Sequence, residues 1–136
     1  IEEMKKAELL PFREAIQKDA QMIMVSHLTA RRIDSKYPAS LSPLVINGLL
    51  RQDMGYDGVV ITDALRMGAI TDEYSAGEAA VLSILAGVDV LLVPGNGQEC
   101  YKAIQKAVKN GTIPMERIDE SVERILTLKI KSGLIQ

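Results

Sequence analysis

The chain has 136 residues, 47% hydrophobic and 25% charged, with a net charge of -2, enough for one buried core but short of the about 250 residues of a closed eight-stranded α/β barrel. That balance lacks the basic excess that draws nucleic acid or anionic lipid, so neither is expected as a partner. No run reaches the ~18 apolar residues of a membrane span, and Cys100, the single cysteine, has no partner for a disulfide or a thiolate cluster.

The opening Ile-Glu-Glu-Met-Lys-Lys has no apolar signal-peptide core, but the chain starts at Ile1 rather than Met. The natural start is therefore expected upstream, and the compartment stays open. Glu2 to Leu9 reads as a helix, and Pro11 opens a second one with Phe12, Ala15 and Ile16 on one face. Gln21 to Val25 reads as a buried strand that ends in Ser26-His27 and a polar loop through Pro38. Ser42 and Pro43 start a helix to about Asp53, with Val45, Ile46, Leu49 and Leu50 at helical spacing.

Gly58 to Ile61 is a short, uncharged, β-branched run, the mark of a strand buried on both faces, and Thr62-Asp63 closes it before a short helix over Ala64 to Ala69. Ser75 and Glu78 have the spacing of a capping box for a helix that Gly87 ends. Val88 to Val93 reads as a third strand, stopped by Pro94-Gly95. Gln98 to Asn110 is a helix, with Cys100 on it and Asn110-Gly111 as its C-cap. The last helix opens at Thr112 and Pro114, turns Met115, Ile118, Val122, Ile125 and Leu126 to one side, and ends near Gly133.

Strand starts roughly 30 to 37 residues apart, with helices between, are the rhythm of βαβ units, so all three strands are expected to be parallel. Either an open doubly wound sheet or a sector of a (β/α) barrel satisfies this order. In both, ligands gather at the carboxyl ends of strands, where His27, Asp63 and the Pro94-Gly95 turn fall. Asp63 there serves as nucleophile, base or metal ligand, or it merely caps the helix that follows. No second Asp, Glu or His stands at metal-ligand spacing beside it, which makes a metal the weakest of these options. His27, the only histidine, lines a pocket or packs in the core, and Met22, Met24 and Met67 are core or pocket wall. The glycines of Pro94 to Gly97 match neither phosphate-loop pattern and read as a plain strand-to-helix turn.

Several runs together resemble glycoside hydrolase family 3, most of all its β-N-acetylhexosaminidase branch. They are Met24-Val25-Ser26-His27, Tyr37 to Ser42, Leu49-Leu50-Arg51, Met54 to Met67, and Ala86-Gly87-Val88-Asp89 through Pro94-Gly95. The resemblance implies a partial TIM-type (β/α) barrel, with the three parallel strands as the sixth to eighth and the chain as the C-terminal part of the catalytic barrel. It implies that Asp63 is the nucleophile of a retaining glycosidase, that His27 and Met67 line the sugar site, and that no metal or organic cofactor is used. The branch's Lys-His-Phe-Pro-Gly-His-Gly loop with its acid/base pair is absent, so the chain is expected to be a piece of a larger enzyme and inactive alone. The expected substrate is an N-acetylglucosamine-containing glycan such as a cell-wall fragment. A family 3 β-glucosidase or xylosidase is the alternative enzyme. A non-catalytic half-barrel is the third reading, its open sheet edges pairing with the other barrel half or with a second copy.

Overall fold

The computed structural model describes residues 7–136. Most of the helix expected over Glu2 to Leu9 lies outside the described residues. The first described helix, α1 (Leu10–Gln17), carries Pro11 in its first turn, where no N–H is missed. Strand β1 (Met22–Val25) pairs in parallel with β2 (Val59–Thr62), in a register running from Met22↔Val59 to Val25↔Thr62. A buried 3-10 turn (Ala39–Leu41) and a π-helix (Leu44–Asp53) cross over between them. Four α-helices follow: α2 (Gly68–Thr71), α3 (Ala76–Ala86), α4 (Gly97–Lys109) and α5 (Met115–Lys131).

Strand β2 is the buried axis, as its β-branched run predicts: Val59 and Val60 are sealed, and so is Thr62. Val60 packs with Ile23, Ile46, Leu50, Tyr56, Ala86 and Val88, and each buried Val, Leu or Ile side chain among them contributes roughly 1.5–3 kcal/mol. Helix α3 starts from the expected capping box of Ser75 and Glu78 and ends on Gly87 at φ 110°, where a Cβ would run into the Asn47 side chain. Asn96 caps α4 by accepting the Glu99 N–H, so Pro94 to Gly97 is the turn that leads into this helix.

Val88 to Val93 does not form the third strand expected. It runs parallel beside β2 but makes a single bridge, Ile61↔Val90, because side chains take the ladder's hydrogen bonds. Asp89 Oδ2 accepts the Val60 N–H at 2.9 Å, and Thr62 Oγ1 accepts the Leu92 N–H at 3.0 Å. Val93 then turns to φ 39°. The architecture is therefore α/β with two parallel strands.

Three other expectations change. β1 is buried only at Ile23, and its alternate residues Met22 and Met24 are 44% and 52% exposed on a face no described strand covers. The helix expected over Ala64 to Ala69 begins only at Gly68, after a turn closed by the Met67 N–H on the Ala64 carbonyl. On α5, Met115, Val122 and Leu126 are exposed and Ser121 is the buried residue.

The inversion on α5 has a cause near the amino ends of the strands. The Asp89 carboxylate, fully enclosed, draws Arg51 (2.7 Å), Arg117 (3.3 Å), Arg124 (3.5 Å) and the Ser121 hydroxyl (2.7 Å) around it. A helix that must present Arg117, Ser121 and Arg124 inward keeps Ile118 and Ile125 half-buried beside them and turns Met115, Val122 and Leu126 outward. The wide winding of the π-helix helps from the other side, since i→i+5 closure sets Arg51 beneath the buried Ile46. Among the described residues no helix is long and apolar enough to cross a membrane.

Candidate active site

Asp63 follows β2 directly, and its N–H continues the ladder one residue past the strand by donating to the Val25 carbonyl (2.9 Å). That bond sets Asp63 against the end of β1, two residues before His27. The three expected site residues meet at Ala64. Its N–H donates to Asp63 Oδ1 (2.7 Å), and its carbonyl accepts from His27 Nε2 (3.0 Å) and from the Met67 N–H (3.0 Å). The next peptide is tied across the site as well, the Leu65 N–H donating to the Leu92 carbonyl (3.0 Å) just before Pro94.

Asp63 does not cap a helix, since among the described residues its one N–H partner is the adjacent residue and α2 starts five residues on. It is half-buried, with one oxygen on a backbone donor. Oδ2 accepts no hydrogen bond among the described residues. A carboxylate with one oxygen anchored and one open is equipped to attack an electrophilic carbon or to take a proton. Among the described residues no group of three or more His, Cys, Asp or Glu is placed to hold a metal ion.

His27 also bonds Ser40 Oγ through Nδ1, at 2.7 Å. Ser40 is completely buried on the 3-10 turn, which the loop before it anchors through the buried Asp34. One Asp34 oxygen accepts the Lys36 and Tyr37 N–H groups and the other accepts the Ser42 hydroxyl at 2.6 Å. The Ser42 hydroxyl holds the Asp34 carboxyl below the usual carboxylate range, the two backbone donors add to this, and burial opposes it. Met67 is 45% exposed at the start of α2.

Sequence reasoning brought Asp63, His27 and Met67 together but passed over Ser40, Asp34 and Ala64. Ser40 and Asp34 carried no signal, because a lone serine or aspartate in a polar loop does not name its partner. Two surface cavities lie elsewhere. One of 380 Å³ touches Asp19, Tyr56 and Arg124, and one of 680 Å³ touches Tyr37, Tyr74 and Leu82. Asp63 instead stands at an open strand end, beside a sheet face left bare at Met22 and Met24.

Comparison with known proteins gives this geometry a context. The profile of the Glycosyl hydrolase family 3 N terminal domain matches residues 1–128. A protein of Arthroderma benhamiae described as an uncharacterized secreted glycosyl hydrolase is 36% identical over 133 residues, which is 95% of this chain and 38% of that protein. Beta-hexosaminidase LpqI of Mycobacterium tuberculosis is 34% identical over 134 residues, 90% of this chain and 33% of its own. A glycoside hydrolase family 3 β-N-acetylglucosaminidase from Paenibacillus superposes with a TM-score of 0.93 at 43% identity, over 97% of this chain and 26% of that one. The chain thus spans 38% and 33% of the length of these two curated relatives.

Proposed function

The chain belongs to glycosyl hydrolase family 3, and from that premise we propose that it carries the nucleophile side of a retaining β-N-acetylglucosaminidase site. Within the N-terminal domain of the family, its two strands and the Val88 to Val93 segment take the place of the sixth to eighth strands of a (β/α) barrel, whose other strands and general acid/base come from outside these residues. The observation that carries the reading is Asp63 itself: a carboxylate at the carboxyl end of the buried strand, Oδ1 fixed by Ala64 N–H and Oδ2 open.

In the first step an Asp63 oxygen forms a bond to the anomeric carbon while the bond to the leaving oxygen breaks, and that oxygen takes a proton from the acid/base group. In the second, water attacks the same carbon, gives its proton to that group, and the Asp63 ester breaks. His27 and Met67 line the sugar beside the carboxylate. The relatives named β-hexosaminidase and β-N-acetylglucosaminidase support an N-acetylglucosamine-containing glycan as the substrate.

The test is Asp63→Asn in the full-length protein, which keeps the shape and removes the nucleophilic charge. Turnover is expected to fall by about 10³-fold or more, and a slowly released fluorinated N-acetylglucosaminyl donor is expected to label the Asp63 peptide of the unsubstituted protein. Label on another carboxylate, or near-normal turnover by the variant, would remove Asp63 from this role.

A further inference from the structure

Ala64 is held at both its N–H and its carbonyl, and the group that holds its carbonyl is itself held. A carbonyl oxygen only accepts, so His27 Nε2, 3.0 Å from Ala64 O, carries the ring proton. In the neutral ring Nδ1 is then bare, and it accepts the hydroxyl proton of Ser40 at 2.7 Å. Ser40 is fully enclosed, and the turn that bears it is pinned by the Ala39 N–H on the Leu28 carbonyl (2.8 Å) and by Ser42 on Asp34. Protein thus occupies both nitrogens of His27, which leaves only its carbon edges and ring face for a ligand.

We propose that Ser40 and His27 are positioning residues for the Asp63 nucleophile, Ser40 orienting the imidazole, the imidazole fixing the Ala64 peptide, and Ala64 N–H fixing Asp63 Oδ1. This rests on the reading of Asp63 given above and adds to it. The strut joins the end of β1 and the crossover turn to the end of β2. Its value is geometric. Attack on an anomeric carbon depends on the direction of the carboxylate, and misplacement by ~1 Å costs up to about 10²-fold in rate.

Three readouts on the full-length protein test the strut: the rate of Asp63 labelling by the fluorinated donor, the affinity for free N-acetylglucosamine, and the imidazole 15N–1H spectrum. Ser40→Ala is expected to slow labelling about 10-fold with sugar affinity changed by less than about 3-fold, and His27→Phe, which also alters a ring lining the sugar, to slow labelling up to about 100-fold, well beyond its loss of affinity. In Ser40→Ala, an affinity loss as large as the loss in labelling rate would show that the pair serves sugar binding, and would overturn the strut. The ring signal that disappears in His27→Phe is expected to carry its proton on Nε2 in the unsubstituted protein; a proton on Nδ1 instead contradicts the assigned bonds. Ser40→Ala, which removes one oxygen, keeps the test valid if His27→Phe fails to fold. Asp63→Asn in the same series separates the two claims. If it turns over normally, the nucleophile and the strut fall together. If it is inactive while Ser40→Ala and His27→Phe label at the unsubstituted rate, only the strut falls.

Discussion

Asp63 and Asp34 are two carboxylates near one strand end, and their surroundings give them different work. Asp63 is half-buried, with one donor and one open oxygen, the state of a group that meets a substrate. Asp34 is enclosed, and both of its oxygens are taken by donors from its own loop and turn, the state of a group that holds structure. Because the Ser42 hydroxyl and the Lys36 and Tyr37 N–H groups hold Asp34 below its unfolded value, the unfolded chain binds its proton first as pH falls. Its stabilisation is therefore complete above the ordinary carboxylate range near pH 4 and is lost as pH drops through the lower folded value. Asp34→Asn is expected to flatten the acid limb of stability against pH below about pH 4, measured by urea unfolding of the full-length protein over a pH series. An unchanged acid limb would mean that Asp34 does not contribute in this way.

Between elements, one link is ionic rather than apolar. Asp89 joins the segment after α3 to β2 through Val60 N–H, to the π-helix through Arg51, and to α5 through Arg117, Ser121 and Arg124. Arg117 also donates to the Ile84 and Val88 carbonyls, and Arg51 to those of Tyr56, Gly58 and Gly87. Removal of the single carboxylate would leave enclosed guanidinium groups without a counter-charge and Val60 N–H without an acceptor. Asp89→Ala is accordingly expected to cost roughly 3–5 kcal/mol, read from the urea midpoint at constant slope. A cost under about 1 kcal/mol would mean that the arginines find water or other acceptors without rearrangement.

On the scale of the whole molecule, one face of the sheet is unfinished. β1 pairs with β2 on one side only, and Met22 and Met24 stand exposed beside the site. An unpaired edge with an apolar face beside it is a template for association. Residues 1–136 produced by themselves are expected to sediment above the 14.9 kDa of one chain at micromolar concentration and to bind a dye specific for apolar surface. Met22→Lys with Met24→Lys is expected to reverse both. A monomer that binds no dye would show that the face closes on itself.

Much of this was legible in the residues alone. The order of helices and strands followed from hydrophobic period and capping chemistry, which act within a few residues: Ser75 with Glu78, and Gly87 at a left-handed turn. The place of Asp63 followed from β2 in the same way, since a buried β-branched run has one carboxyl end. The third strand, the inward face of α5 and the strut behind Asp63 did not follow. Each depends on which distant side chain wins a backbone or buried partner: Asp89 and Thr62 displace a ladder from Val88 to Val93, and Asp89 turns Arg117 and Ser121 inward. His27 meets Ser40 13 residues away and Ala64 37 residues away. Sequence by itself therefore determined the elements and the candidate nucleophile, because those rest on local periodicity. Only the tertiary structure decided what holds Asp63, because hydrogen-bond partners far apart in the chain are chosen by packing, which brings them within about 3 Å of each other.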